Sequence, residues 1–147
     1  MQKKQLIKII FFLFLLLLLF SSCYTKKDID KIEANVDIDR EFHENGQLSY
    51  EFIYRYGKLD GTSRTWDENG NLISRIDYKN GILHGNWETY YKKGQLKNSV
   101  IYLNGMKNGL ETWYHDNGEK QSEVLYENDE VVSKYLRWDE EGNQITN

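Results

Sequence analysis

Glycine recurs at Gly46, Gly70, Gly94, Gly118 and Gly142, each 24 residues after the last. A fixed period of this length is the signature of a repeat architecture, in which each unit buries its apolar side only against its neighbours. Other columns keep the same step. Four residues before each glycine stands an aromatic: Phe42, Trp66, Tyr90, Tyr114 and Trp138. Six residues after it the chain is apolar, at Phe52, Ile76, Val100 and Val124, and eight residues after it is always tyrosine, at Tyr54, Tyr78, Tyr102 and Tyr126. Two further glycine columns run Gly57, Gly81, Gly105 and Gly61, Gly85, Gly109.

Within one unit the pattern is strand, turn, strand, turn. Leu48, Tyr50, Phe52 and Tyr54 alternate with Gln47, Ser49 and Glu51, the period of a half-buried strand. Asn45-Gly46, Asn69-Gly70 and Asn117-Gly118 suit type I′ turns, and Asn80-Gly81 and Asn104-Gly105 mark the opposite edge. Each unit is therefore about one β-hairpin. The expected fold is all-β, an elongated, twisted antiparallel sheet of stacked hairpins over residues 36–147. Val36, Ile38 and Phe42, alternating with Asp37 and Asp39, form its opening strand. Lys120 and Gln144 fill the column that holds Leu48, Leu72 and Leu96 earlier, as a terminal capping unit facing water would.

Composition agrees. Proline is absent, aromatics reach 14%, and eleven tyrosines are present, a mix that favours strands and glycine turns.

Three segments resemble one family. Tyr78-Lys79-Asn80-Gly81-Ile82-Leu83-His84-Gly85 followed by Tyr90 resembles a MORN repeat of the bacterial variant type. Tyr102 to Gly109 followed by Tyr114, and Tyr54 to Gly61 followed by Trp66, are similar copies. A fourth, Tyr126 to Trp138, departs at Asp129 and Ser133, which replace both glycines. The resemblance covers roughly Arg40 to Asn143 and implies a scaffold. It also allows an antitoxin, since some bacterial relatives carry that description.

The first segment is an address. Met1 to Lys8 is short and basic, and twelve apolar residues follow from Ile9 to Phe20, before Ser21-Ser22-Cys23. A bilayer-spanning helix needs about 20 apolar residues, so this run is too short. A basic start, a short apolar run and small residues before a cut define a secretory signal peptide over residues 1–22. The sole cysteine, placed immediately after, resembles the lipobox of bacterial lipoproteins, with Phe20 where leucine is commoner. The resemblance implies lipidation of Cys23. Two or three acyl chains, at about 0.8 kcal/mol per buried methylene, would hold the protein on a membrane. Residues 23–35 supply the lipidated cysteine and a polar tether. Tyr24, in place of an aspartate, points to the outer membrane of a bacterial cell envelope.

Charge narrows the partners. The full chain carries −4, and loss of Lys3, Lys4 and Lys8 leaves 16 basic against 23 acidic residues, or −7. An acidic chain lacks the clustered Lys and Arg of a nucleic-acid groove. One cysteine excludes an internal disulfide and a thiolate zinc site.

No catalytic constellation is expected. His43 and His115 share a repeat position 72 residues apart, more than about 20 Å at two strands per unit, and so cannot share a metal. His84 falls in the Gly81–Gly85 turn, and all three histidines read as exposed turn residues. Asp67-Glu68, Asp116 and Asp139-Glu140-Glu141 cluster at hairpin tips, where solvent prevents the raised pKa that acid–base work requires. No phosphate-binding glycine loop occurs, and the expectation is a non-enzyme with no cofactor and no metal.

Function is then sought in residues that break the repeat. Ile53, Ile101 and Leu125 lie on the strand face opposite Leu48, Phe52 and Tyr54, and the same alternation places Trp87, Trp113 and Tyr135 there. Trp87, Trp113, Tyr135, Ile53 and Ile101 are the candidate anchors for a protein partner, with packing of a second layer as the competing use. The leading function is a lipid-anchored protein-interaction platform. The alternatives are an immunity or antitoxin protein and a carbohydrate-binding lipoprotein in which sugars stack on the Trp and Tyr rows.

Overall fold

The computed structural model describes residues 35–146. The expected signal peptide, Cys23 and nearly all of the expected tether lie outside the described residues. Val36 opens a single open antiparallel sheet, with no helix among the described residues. Its long strands are β1 (Val36–Phe42), β2 (Leu48–Arg55), β4 (Gly61–Trp66), β5 (Leu72–Lys79), β6 (Ile82–Tyr90), β7 (Leu96–Leu103), β9 (Gly109–Tyr114) and β10 (Lys120–Glu127). Short pieces β3 (Lys58–Leu59) and β8 (Met106–Lys107) precede β4 and β9, and β11 (Glu130–Val131) and β12 (Leu136–Arg137) close the chain. Spatial order follows chain order from β1 to β11, with β12 also on β10. Each hairpin thus pairs with the next, and every repeat advances the sheet by two strands, about 10 Å.

The turns at the two edges are built differently. At one edge the two-residue loops Tyr56-Gly57, Asn80-Gly81, Asn104-Gly105 and Asn128-Asp129 have positive φ at both residues, which makes them type I′. At the other edge only the glycines of Gly46, Gly70, Gly94, Gly118 and Gly142 are left-handed, with φ between 80° and 93°. There Gly46 N–H donates to His43 O at 2.9 Å and His43 N–H to Gln47 O at 2.8 Å. This is a type I turn with a glycine bulge, and the pairing register shifts beside it between Glu41 and Phe42. The type I′ expectation at Asn45-Gly46, Asn69-Gly70 and Asn117-Gly118 is therefore corrected. Each such asparagine keeps an ordinary φ, and in two of them the side chain accepts the backbone N–H two residues on: Gln47 to Asn45 at 3.0 Å and Glu119 to Asn117 at 2.9 Å.

Stacked turns are bonded to one another. On the bulged edge Asn45 Nδ2 donates to Glu68 O at 2.5 Å, and Asn117 Nδ2 to Glu140 O at 2.8 Å. Tyr91 O–H reaches Tyr114 O at 2.7 Å. On the I′ edge Gly81 N–H donates to Leu59 O at 2.7 Å and Gly105 N–H to Leu83 O at 2.9 Å, while in the last unit Asp129 takes the glycine's place with N–H to Lys107 O at 3.0 Å. Asp129 holds φ 69° and compensates for its side chain by accepting Lys107 N–H at 2.7 Å. This explains why the last repeat tolerates the loss of glycine there.

The third glycine column has a steric cause. At Gly85 a Cβ would lie 2.8 Å from Asp77 Cβ, and φ is +118°; Gly109 would meet Ile101 at 3.2 Å with φ +136°. Backbone at such φ is open essentially to glycine alone. In the last unit Ser133 stands at this position, between Tyr126↔Val131 and the resumed pairing at Glu123↔Leu136. Gly94, with φ +86° and open space around its would-be Cβ, carries the conformational cost without the clash. Gly85→Ala is accordingly expected to lower stability by about 2–4 kcal/mol and Gly94→Ala by about 1 kcal/mol, as read from denaturant midpoints.

Candidate interaction surface

Residues directly opposed across an antiparallel pair share a face, so the register assigns every side chain. Trp87 opposes Ile76 and Val100. Trp113 opposes Asn98 and Ser122, and Tyr135 O–H donates to Ser122 Oγ at 3.0 Å. Trp87, Trp113 and Tyr135 therefore lie on the face of Phe52, Ile76 and the tyrosine column, not with Ile53 and Ile101 as the alternation implied. The reason is a parity change. Outside the bulges, opposed residue numbers sum to an odd value, as in Lys79↔Ile82 and Thr89↔Asn98, so odd-numbered residues exchange faces at every turn. Ile53 and Ile101 are on the other face, opposing Ile38 and Asn86.

The tyrosine face contains the only buried apolar side chains among the described residues, Val100 at 2% and Val124 at 4% exposure. Val100 sits between Trp87 and Glu111 in the cross-strand row, and Val124 is beside Glu111 on β10. The Trp87 indole meets the Tyr102 ring at 5.8 Å between centroids, and Tyr50 stacks on Phe52 at 4.5 Å. Large side chains on β6 and β9 thus flank small buried ones on β7 and β10. Trp87 and Trp113 are half-buried and serve this packing, whereas Tyr135, 59% exposed, presents its ring to solvent.

Along the I′ edge, tyrosines from alternate strands leave gaps that Leu59 fills beside Tyr54 and Leu83 beside Tyr78. The third gap holds Lys107, opposite Tyr102. Its ammonium lies 4.7 Å from the Tyr126 ring centroid and 2.9 Å from Glu111 Oε2. Glu111 occupies the column of Ser63, Trp87 and Tyr135, so two repeat-breaking residues neutralise each other. Burial works against the Lys107 charge, but the Glu111 hydrogen bond and carboxylate outweigh it and hold the ammonium above its usual range.

The opposite face carries a stripe of charge. Arg40, Glu51, Arg64, Arg75 and Glu88 stand in cross-strand sequence, with Arg40–Glu51 at 2.6 Å and Arg75–Glu88 at 3.1 Å. Asp77 accepts Thr62 O–H at 2.8 Å and Asn86 N–H at 3.1 Å. Beyond the stripe Ile101, Leu110 and Leu125 form an apolar group, with Ile101 43% and Leu110 46% exposed. Tyr90 O–H donates to Glu88 Oε2 at 2.7 Å; burial first, and the Glu88 bond second, push this phenol up to about 12.

The histidines are not exposed turn residues. All three are half-buried, and His84 lies within β6. His43 Nε2 bonds Trp66 O at 2.9 Å and His115 Nε2 bonds Trp138 O at 3.0 Å, each linking one turn to the next. Asp67 and Asp139 occupy the same turn position but are too short to cross, and instead close their own turns onto Asn71 and Asn143. Those bonds to Asn71 and Asn143 hold both carboxyls below the usual range. Among the described residues no three His, Cys, Asp or Glu side chains converge on a metal-sized site.

The chain matches the MORN repeat variant family model over residues 40–56, 59–80, 83–104 and 107–128, and it belongs to that family. The stretch from Asp129 to Trp138, where both glycines are replaced, lies beyond the matched repeats. Repeats of this family are in general modules for protein or membrane interaction. No curated protein matches the chain.

Two measurements follow from this geometry. Lys107→Leu and Glu111→Ser are each expected to cost about 1–2 kcal/mol, by stranding the other charge, while the pair together returns stability to within about 0.5 kcal/mol, because Leu59 and Ser63 hold the matching sites two repeats earlier. The unfolded chain releases the tyrosine proton near about 10 and the folded Tyr90 near about 12, so the folded state binds more protons between them and stability falls as pH rises across that window. Thermal midpoints should decline over that range, and less steeply in Tyr90→Phe.

Proposed function

We propose that this protein is a non-catalytic interaction platform of the bacterial envelope, lipid-anchored through Cys23 on the outer membrane, that binds a protein partner on its tyrosine face. The observation that carries this reading is the single layer. Among the described residues only Val100 and Val124 are buried apolar side chains, while Tyr135 stands 59% exposed on the tyrosine face of an open sheet. Side chains of this kind, rimmed by charge, suit protein association. Tyr135, with Trp113 diagonal to it across β10, is the anchor of choice because aromatic contact area is gained at low cost in side-chain entropy.

The test is photo-cross-linking in intact producing cells, with a photoreactive residue at Tyr135 or at Ile101. One dominant envelope protein captured from Tyr135 and absent from Ile101 is expected, and a toxin captured there would define an immunity role. Cys23→Ser should abolish fatty-acid labelling, release the protein to the soluble fraction and remove the adduct. Equal, non-specific capture from both positions, or glycan adducts alone, would count against the proposal.

A further inference from the structure

The two ends of the sheet are finished differently. The outer side of β10 is taken up by the chain itself: Tyr126 and Glu127 pair with Val131 and Glu130, and Ser122 and Glu123 with Arg137 and Leu136. Trp138 N–H also donates to Gln121 O at 2.9 Å. At the other end β1 pairs with β2 alone among the described residues, in continuous register from Val36↔Arg55 to Glu41↔Tyr50. A seven-residue strand with one neighbour offers the outward half of its N–H and C=O groups to another chain.

The side chains of β1 state which chain would fit. Asp37, Asp39 and Glu41 oppose Tyr54, Phe52 and Tyr50 and so line the tyrosine face, while Val36, Ile38 and Arg40 line the other. No ion pair among the described residues includes any of the three acids, whereas Arg40 is already held by Glu51. A second copy is a poor occupant. Antiparallel pairing about Asp39 sets Asp39 against Asp39 and Asp37 against Glu41, and parallel pairing in register sets each acid beside itself. A strand with Lys or Arg at alternate positions meets all three acids and presents apolar residues to Ile38. Past the end of β1 lies a cleft of about 500 Å³ whose lining includes Glu41, Glu44 and Glu68, together with Phe42, which is 58% exposed. It extends the same demand for a cationic, partly apolar ligand.

We propose that the outer edge of β1, unpaired among the described residues, receives an extended, alternately basic segment of a partner protein as an added strand. This rests on the interaction-platform reading and names a second surface with its own partner chemistry. Backbone hydrogen bonds would supply the register-independent part of the binding, and Asp37, Asp39 and Glu41 its selectivity.

The test uses the full chain in detergent micelles and a labelled peptide, Lys-Val-Lys-Ile-Arg-Val-Lys, followed by fluorescence anisotropy and amide hydrogen exchange. Binding should slow exchange in β1. It should weaken at least about tenfold on N-methylation of alternate peptide residues, and again in Asp37→Lys/Asp39→Lys/Glu41→Lys. That triple variant should instead take up Glu-Val-Glu-Ile-Glu-Val-Glu, which also shows that it remains folded. Absence of binding, indifference to N-methylation or to charge reversal, or complete protection of the β1 amides before any peptide is added would each overturn the proposal. A partner still cross-linked through Tyr135 in those circumstances would leave the platform reading intact and remove only the strand addition.

Discussion

Cross-strand pairing, with no covering layer among the described residues, is the constraint on which the rest of this structure depends. Most small β-folds press one face of a sheet against another sheet or a helix. Here Val100 and Val124 are the only apolar side chains buried among the described residues. Stability must therefore come from neighbours within the sheet: the tyrosine–leucine rows, the flanking of small residues by Trp87 and Trp113, and the bonds between stacked turns. Contributions of this kind are each small, roughly 0.2–1 kcal/mol for a cross-strand pair, and they accumulate with repeat number.

That constraint accounts for the division of labour among the columns. Invariant glycines, tyrosines and turn residues reproduce the contact between one repeat and the next, and changing them disturbs a backbone approach such as Gly85 to Asp77. The first turn position shows how chemistry adapts to the same slot. His43, Tyr91 and His115 are long enough to bond the following turn, while Asp67 and Asp139 close on themselves. Positions free to vary hold Trp, Glu or Tyr in the column of Ser63, and this variation differentiates a periodic surface. A periodic sheet with aperiodic faces is well suited to presenting specific contacts along a line.

The ends of such a sheet behave unlike its middle. Asp129 retains the left-handed turn by turning its own carboxylate onto Lys107 N–H, and Ser133, at the close-approach position, accepts Leu125 N–H through its hydroxyl at 2.9 Å. The C-terminal segment then folds back over β10. At the N-terminal end β1 has no such cover among the described residues, and its acidic alternation discourages pairing between copies.

Much of the architecture was legible in the sequence. The 24-residue period, the alternation within each unit and the asparagine–glycine pairs specify antiparallel hairpins in series, because side-chain alternation and left-handed turn residues are local requirements of the chain. The face of Trp87, Trp113 and Tyr135 was not legible from alternation within a strand, since each turn exchanges odd for even and only the register between strands records it. The partners of His43 and His115 were likewise hidden, for they bond carbonyls 23 residues onward that become neighbours only when two repeats stack. The sequence by itself determined the repeating unit and where it begins to fail. Tertiary structure alone decided which side chains share a face, which turns are bonded together and which edge has no second strand among the described residues, because those depend on pairing between strands and not on the order of residues along any one of them.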